Sequence, residues 1–461
     1  MKETLQGKRE AQYQKILKEV PALLHASENM SVPENDAEAA ACRYVWGPVL
    51  GSFVRWILLW AQGHGIRRLY FLARDGYFMY QAAELFCQAF QIPLACRYVS
   101  CSRYSLRLPL LYFNHAEALS YICRKGLHVT PTVILKRAGL SPAQQKSVAD
   151  RLFPGIGMEE RLSDEELLLL QKALSEDAFF LECMDRRSQK EAPLLAGYLR
   201  QEGLLDGTPD LMIDSGWLGS MQQTLNQALL QLGRKQPLSG CYWGLYDHPR
   251  NIESGEYASY FFSPEKNLKE KVFFNNCLFE AVYTAPHGTT LFYRKEGSYY
   301  MPQYGQITKT RVQATERIGG YLLQYIRLFI QEMKKGGLAG QDAKAEHRTL
   351  YRLLRLLMTE PSYGEAAAFG RLPFTDDVVD GETDPLAARL TEEEFKRNHV
   401  AAKYLASKKG GESVRESAWY AGSAVLYSRC ASVHIRQYIL LQYLRHLKNG
   451  QQFNREEKKQ K

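Results

Sequence analysis

The sequence lacks the marks of several large protein classes. Its 461 residues contain no C-x-x-C pair, and its nine cysteines are scattered and odd in number. A disulfide framework or a tetrahedral zinc site is therefore not expected, and the cysteines are predicted to be mostly buried apolar residues in a reducing cytosol. No internal repeat is visible. A hydrophobic content of 45% with 24% charged residues excludes a disordered chain.

A strong charge excess and a long apolar run are also missing. The formal net charge of +9 is mild for this length. It suits an anionic ligand or a membrane surface, and no basic stripe interleaved with aromatics indicates nucleic-acid binding. The longest apolar stretch, residues 45–61, contains Pro48 and Arg55 and predicts a buried helix rather than a membrane span. Because the charged N-terminus lacks the apolar core of a signal peptide, we expect a cytoplasmic protein, at most peripheral to a membrane.

Apolar segments alternate with helical periodicity in two parts of the chain. The predicted elements are helix 45–62, strand 69–73, helix 77–90 and strand 94–99, followed after residue 205 by strand 211–213, helix 220–232 and strand 241–246. This alternation predicts an α/β fold with a Rossmann-like parallel sheet and helices on both faces. Tyr242, Trp243 and Tyr246 are expected to be core residues rather than a platform for a sugar.

The remaining segments are predicted to be helical or polar. We expect an N-terminal helix and connector, an inserted helical lobe that splits the α/β core, an all-helical C-terminal domain with an acidic loop at 372–386, and a frayed polar tail. The corresponding ranges are 1–40 for the N-terminal segment, 41–114 and 206–306 for the core, 115–205 for the lobe, 307–447 for the C-terminal domain and 448–461 for the tail.

Two polar loops follow predicted strands and are candidates for phosphate binding. Arg74-Asp75-Gly76 comes directly after strand 69–73, where Gly76 permits the backbone to approach a ligand closely or to adopt a positive φ, and Arg74 can bind phosphate. The alternative is a local Arg74–Asp75 ion pair.

The second loop runs from Asp214 to Ser220 and contains Ser215, Gly216 and Gly219. Its backbone amides and hydroxyls suit a phosphate, and Asp214 suits sugar hydroxyls or a metal, although an ordinary capped turn with a core Trp217 remains possible.

Together the two loops resemble those of type I phosphoribosyltransferases. In that family a short basic and glycine-containing loop holds pyrophosphate, and a later acidic loop holds the ribose 5-phosphate. Arg74-Asp75-Gly76 would correspond to the first loop and Asp214 through Ser220 to the second. The family's second loop has two adjacent acidic residues and a Thr-Gly-x-Thr ending, whereas this chain has Asp214 alone and ends in Gly219-Ser220.

Four longer segments are similar, in the same order, to a bacterial family from surface-polysaccharide gene clusters whose members are described as predicted hydrolases of the HAD superfamily. The segments are FLARDGYFM (71–79), SRYSLRLP (102–109), DSGWLGSMQQTL (214–225) and EAVYTAPHGTTLFY (280–293), and the similarity spans residues 45–295. The D-x-D that HAD chemistry requires is absent after both strands, so no HAD domain is expected. The resemblance implies a phosphoribosyltransferase-like module.

Further candidates lie outside the two loops. Ser102 and Arg103 follow the second strand, where Arg103 would clamp pyrophosphate or be a surface arginine, and Arg107 is expected to be structural. Glu280 and His287 are candidate general bases, as is Asp75, which is also a candidate ligand of magnesium-bound water. The basic residues near the end of the chain would touch anionic lipid or form a solvated helix face: Arg436, Arg445, Lys448, Lys458 and Lys459.

The expected function follows from the resemblance. It implies transfer of ribofuranose 5-phosphate from phosphoribosyl pyrophosphate, with Mg²⁺ near Asp214, to a hydroxyl of a lipid-linked glycan in capsule or O-antigen assembly. A partner phosphatase would remove the 5-phosphate from the product. The alternatives are a HAD-like phosphate-ester hydrolase and a non-catalytic assembly protein.

Overall fold

A sheet of five short parallel strands organises the chain. The computed structural model describes residues 5–125, 129–249, 255–340, 342–374, 384–408 and 415–460. The strands are β1 (Arg68–Leu72), β2 (Ala95–Val99), β3 (Asp210–Asp214), β4 (Gly240–Gly244) and β5 (Tyr257–Phe262), in the order β2-β1-β3-β4-β5. All four pairings are parallel, which confirms the predicted α/β fold and parallel sheet.

Helices surround this sheet and make up most of the rest of the chain. They are α1 (Leu5–Leu17), α2 (Pro21–Glu28), α3 (Ala37–Ala41), α4 (Gly47–Gly63), α5 (Gly76–Phe90), α6 (Arg103–Arg107), α7 (His115–Ile122), α8 (Pro131–Arg137), α9 (Pro142–Leu152), α10 (Asp164–Glu176), α11 (Ala178–Gln201), α12 (Ser220–Gln231), α13 (Leu268–Phe273), α14 (Asn276–Tyr283), α15 (Lys309–Gly336), α16 (Ala343–Thr359), α17 (Tyr363–Gly370), α18 (Glu392–Arg397), α19 (Val400–Lys408), α20 (Tyr420–Tyr427) and α21 (Ala431–Gln460).

Both faces of the sheet are covered by helices, as predicted. Alternate residues of a strand point to opposite faces. In β1, Leu69 and Phe71 join the core formed with α4, α5, α14, α15 and α16. Tyr70 and Leu72 join the core on the other face, which includes residues of α11 and α12. Burial on both faces explains why the central strands are continuous apolar runs.

The chain between β2 and β3 is helical, as predicted. It comprises α6 to α11 and the 3₁₀ turn Leu108–Phe113, and much of it encloses a separate apolar core that includes Ile122, Leu135 and Leu174. A hairpin of two strands follows the sheet, β6 (Thr290–Glu296) and β7 (Tyr299–Tyr304). From residue 309 onward the regular elements of the described chain are helices, except for one short pair of strands, β8 (Pro373–Phe374) and β9 (Asp384–Pro385).

The structure differs from the prediction in some strands and in the tail. Neither the edge strand β5 nor the β6–β7 hairpin is predicted, because β5 is only half-buried along most of its length and β7 has no buried residue, which weakens the apolar pattern. The tail expected to fray from residue 448 onward instead continues α21 to Gln460. Within the predicted acidic loop 372–386, residues 375–383 lie outside the described residues.

The apolar stretch around Arg55 forms the buried helix α4. In the described parts of the chain, no helix combines the length and the apolar character needed to cross a bilayer. Tyr242 and Trp243 are fully buried, as predicted for core residues, and Tyr246 is half-buried. None of the nine cysteines forms a disulfide, but only four are buried, four are half-buried and Cys430 is exposed, so their predicted burial holds in part.

Candidate functional site

The candidate site lies where the strand order reverses. From β1 the chain crosses to β2 on one side, and β3 lies on the other side of β1. In open parallel sheets the crevice outside the carboxyl ends of the strands at such a point is the usual ligand site. The two candidate loops follow β1 and β3, and these strands pair directly, for example at Phe71 and Ile213. The fold therefore brings the two loops together.

A direct hydrogen bond joins the two loops. The hydroxyl of Ser215 donates to Oδ2 of Asp75 at 2.5 Å. Asp75 occupies the position before the first residue of α5, yet its side chain makes no capping bond there. Its carboxylate is therefore directed to the second loop rather than to the helix that it precedes.

Gly76 has a packing role in the first loop. Its φ is not positive, and a Cβ there would lie 3.0 Å from the carbonyl carbon of Phe71. Glycine thus allows α5 to begin directly against β1. This close approach is to the strand, whereas the sequence predicted either a close approach to a ligand or a positive φ.

The second loop lies across the end of β4. Asp214, the last residue of β3, is buried and accepts a hydrogen bond from the Ser215 amide at 2.9 Å. A Cβ at Gly216 would lie 2.4 Å from the carbonyl oxygen of Gly244. Gly219 adopts a left-handed conformation (φ 63°) and precedes α12 without a side-chain cap, and Ser220 is the first helical residue.

Three acidic side chains share this site, and each has a raised pKa. Burial, together with a smaller contribution from the nearby Asp75, raises the pKa of Asp214 to about 8. Burial also raises the pKa of Glu280 to about 7, again with a contribution from Asp75. The Asp75 pKa is raised by burial, against the opposing effects of the Ser215 hydrogen bond and of Arg74 and Arg103. Carboxyl groups whose pKa values are raised by burial and by a neighbouring carboxylate are common at functional sites.

Trp217 positions Glu280. Its indole N–H donates to Oε1 of Glu280 at 2.5 Å. The ring itself packs among aromatic side chains, with Phe274 5.2 Å and Phe279 5.8 Å away between ring centroids. Trp217 is therefore a core residue, as the sequence suggested, and also a fixed hydrogen-bond donor in the site, which the sequence did not predict.

A pocket opens beside the acidic side chains. Arg74, Asp75 and Glu280 line it together with Arg311 from the first turn of α15. Its other walls are formed by α14, α15 and the segment just before the end of the described residues at 374: Cys277, Ala281, Thr284, Ala314, Thr315, Ile318, Leu372, Pro373 and Phe374. The sequence does not predict Arg311 as a site residue, because nothing in its helical segment connects it with the two candidate loops, which lie more than 90 residues earlier in the chain.

Arg103 and Ser102 differ in their roles. Ser102 caps α6, accepting the Ser105 amide at 3.0 Å, and donates to the Thr290 carbonyl at 2.6 Å, so its hydroxyl has structural partners. Arg103 is half-buried and its charge lowers the pKa of Asp214 and Glu280, which places it near the acidic cluster rather than on the open surface.

Arg107, expected to be structural, lies over the ring of Tyr121, with 4.5 Å between its guanidinium carbon and the ring centroid. Burial lowers its pKa. The contact joins α6 to α7 within the helical chain between β2 and β3. This placement agrees with a packing role for Arg107.

His287 is held on both sides. Its Nδ1 lies 2.8 Å from the Gly288 carbonyl, which can only accept, so Nδ1 carries the proton. Its Nε2, 2.8 Å from the Tyr98 hydroxyl, then accepts. Burial lowers the His287 pKa, with a further contribution from Arg74. Because both ring nitrogens are engaged, Glu280 is better placed than His287 to accept a proton from a substrate.

The comparisons with known proteins provide no identification. No known protein family matches the chain. No curated protein is similar to it either. The resemblance to the polysaccharide-cluster family and to phosphoribosyltransferases therefore stays a prediction, and function must be inferred from the geometry of the site.

Proposed function

We propose that the protein transfers a ribofuranose 5-phosphate group from phosphoribosyl pyrophosphate to a hydroxyl of a lipid-linked bacterial surface glycan, as a cytoplasmic step of capsule or O-antigen assembly. One observation carries this proposal. Arg74, Asp75, Asp214 and Glu280 meet at the switch point of a parallel sheet, where such folds bind phosphorylated ligands.

The donor's phosphates have two helix N-termini to bind. Both α5 and α12 begin at the crevice, and neither has a side-chain cap on its first amides. Such amides, together with the helix dipole, favour an anion. Arg74 and Arg311 line the adjoining pocket and would add two positive charges for the pyrophosphate and the 5-phosphate.

The acidic residues fit a magnesium ion that keeps most of its water. Within the described ranges no group of three or more acidic, histidine or cysteine side chains is arranged to hold a metal. Magnesium needs fewer, because one or two carboxylates and the substrate's phosphates suffice. Asp214 and Asp75, whose negative charges repel each other, would supply these carboxylates. Bound there, Mg²⁺ would neutralise charge on the leaving pyrophosphate.

Glu280 is the proposed general base. In the transfer, the acceptor oxygen bonds to C1 of the ribose as the bond from C1 to pyrophosphate breaks, and the hydroxyl proton passes to Glu280. A pKa of about 7 lets this carboxylate accept a proton near neutral pH. The Trp217 indole holds Oε1 in place. Asp75 is the alternative base, but in this proposal its carboxylate is a ligand of Mg²⁺.

Calorimetric titration with phosphoribosyl pyrophosphate and Mg²⁺ tests donor binding. We expect saturable binding that Arg74→Ala and Asp214→Asn each weaken at least about tenfold, since each removes a charged contact. The matched controls are Arg186→Ala and Asp164→Asn, which change exposed residues in the helical insertion. Absence of binding by the unaltered protein at millimolar donor would overturn the proposal.

The reaction type is tested by the product that is released. A transferase releases pyrophosphate from the donor when glycan acceptors are present, and Glu280→Gln should slow this release about a hundredfold while donor affinity stays within about threefold. Release of inorganic phosphate from simple phosphate esters, abolished by Asp75→Asn, would instead support a hydrolase. Binding of neither donor nor ester would favour an assembly protein.

A further inference from the structure

One face of the last helix is apolar and exposed. On α21, Val433, Leu440, Leu444 and Leu447 have exposed fractions of 49%, 48%, 48% and 47%. Their spacing of seven, four and three residues places them along one side of the helix. At a rise of 1.5 Å per residue this leucine face, defined by these four residues, is about 21 Å long.

The opposite side of α21 packs on the protein. His434 stacks on Phe395 with 5.0 Å between ring centroids, and Tyr438 stacks on Tyr420 at 4.7 Å. Further along, His446 stacks on Tyr246 at 5.2 Å. These contacts fix the rotation of the helix about its axis. The leucine face is therefore held outward by the packing of the helix.

The charged residues in the stretch of α21 that carries this face are all basic. Arg436, Arg445 and Lys448 are exposed, and residues 431–451 contain no Asp or Glu. Arg436 and Lys448 flank the apolar stripe on its two sides, where long basic side chains can lie along apolar surface while their charges reach outward. The side chains of Lys458 and Lys459, which the sequence also marked, lie outside the described part of the chain.

We propose that the leucine face of α21 docks on the surface of an anionic lipid membrane. Apolar side chains would enter the boundary between headgroups and acyl chains, and the flanking basic residues would contact anionic headgroups. A second copy of the chain fits this face less well, because residues 431–451, which carry the face, have basic and no acidic side chains, so pairing two copies through it would bring like charges together. The inference does not rest on the proposed transferase activity.

Sedimentation with lipid vesicles tests the proposal. The full chain should bind phosphatidylcholine vesicles that contain about one-third phosphatidylglycerol, and bind pure phosphatidylcholine vesicles far less. Leu440→Gln/Leu444→Gln should weaken this binding at least about tenfold. Arg436→Gln/Lys448→Gln should weaken it by about fivefold per residue removed, and the effect should shrink at high salt.

Exposed residues elsewhere supply the controls. Leu168→Gln/Leu169→Gln changes two leucines of α10 that are 63% and 70% exposed, and Lys146→Gln/Lys172→Gln removes two exposed lysines. Both controls should bind vesicles like the unaltered protein. The proposal is overturned if anionic vesicles do not bind the chain, or if controls and test variants weaken binding equally. It is also overturned if the chain is dimeric in sedimentation and the α21 leucine variant is monomeric without any vesicle dependence.

Discussion

At the scale of single residues, the site is organised by carboxyl groups that do not ionise readily. Burial and the proximity of Asp75 keep the pKa values of Asp214 and Glu280 at about 8 and about 7. Ser215 and Trp217 donate hydrogen bonds that fix two of these side chains. In the absence of a cation, part of the cluster is therefore protonated at neutral pH, and binding a cation would compete with those protons.

This protonation predicts how stability depends on pH. Both pKa values exceed those of the unfolded chain, so the native state binds more protons, and stability falls as pH rises from about 4 through about 8. Asp214→Asn cannot ionise, so its stability should fall less over this range. Relative to the unaltered protein it should gain at least about 1 kcal/mol between about pH 6 and about pH 8.5. Urea denaturation without divalent ions measures this difference.

The control for the pH prediction is Asp164→Asn. Asp164 lies at the start of α10, largely exposed, and pairs with Lys125. This variant should keep the pH slope of the unaltered protein. If Asp214→Asn shows that same slope, Asp214 ionises normally in the folded state and the account of the cluster is wrong.

A site residue can be predicted from the sequence when a local pattern marks its position, and not when its position depends on tertiary packing. Asp75 and Asp214 are found because each lies at or near the carboxyl end of an apolar strand, and the carboxyl ends of parallel strands lie at one edge of a sheet. The role of Trp217 and the position of Arg311 depend on tertiary packing that no local pattern records. Ser102 shows the converse, because a polar residue after a strand serves as a helix cap.

At the scale of elements, the 214–219 loop is shaped by its contact with β4. The Gly244 amide donates to the Ser215 carbonyl at 3.2 Å, and the Tyr246 amide donates to the Trp217 carbonyl at 2.8 Å. The loop thus continues the sheet's hydrogen bonding beyond β3. This attachment leaves no room for a side chain at Gly216, whose Cβ would meet the Gly244 carbonyl oxygen.

Replacing Gly216 tests this attachment. Gly216→Ala would place its Cβ 2.4 Å from a backbone oxygen, so the loop must detach from β4, at a cost of about 2–4 kcal/mol. Gly207→Ala is the control, since both glycines have a positive φ, 156° and 78°, but nothing lies within 4 Å of a Cβ at Gly207. Its cost should be about 1 kcal/mol. Equal shifts of the urea midpoint in both variants would mean that the loop is not held by β4.

Elements with strong apolar patterns are predicted well, and weakly patterned ones are not. The central strands β1, β3 and β4 are buried on both faces and appear in the sequence as short apolar runs. The edge strand β5 is half-buried at its first four positions, so its pattern resembles a loop. Strand order also had to come from the structure, because periodicity predicts elements but does not specify which ones pair.

At the scale of the whole molecule, helices α1, α15 and α16 share one apolar core with a face of the sheet. A single apolar core contains Leu17 of α1, Phe53 of α4, Phe71 of β1, Phe329 of α15 and Leu353 of α16. The helical C-terminal region therefore shares its interior with the sheet that carries the site. Arg311 contributes to the pocket from this same region. Loss of these contacts is expected to affect the α/β core and the site together.

A buried ion pair between α4 and α16 tests this coupling. Arg55 and Glu346 are 5% and 1% exposed, and Arg55 donates to the Glu346 carboxylate and, at 2.8 Å, to the Leu338 carbonyl. Arg55→Met would leave the Glu346 carboxylate buried without its charge partner, and should destabilise the chain by about 3–5 kcal/mol in urea denaturation. Arg348→Met is the matched control, because Arg348 is 61% exposed and pairs with Glu19 at the surface, a contact worth at most about 1 kcal/mol.

The double variant Arg55→Met/Glu346→Leu distinguishes the effect of an unpaired buried charge from the effect of altered packing. Since it removes both buried charges, it should recover most of the stability lost in Arg55→Met. Tryptophan fluorescence and far-UV circular dichroism should report one common transition in each variant, because Trp46 and Trp243 share a core with α15 and α16. Two separate transitions would show that the helical region folds apart from the sheet. A double variant as unstable as Arg55→Met would show that packing, rather than an unpaired charge, causes the loss.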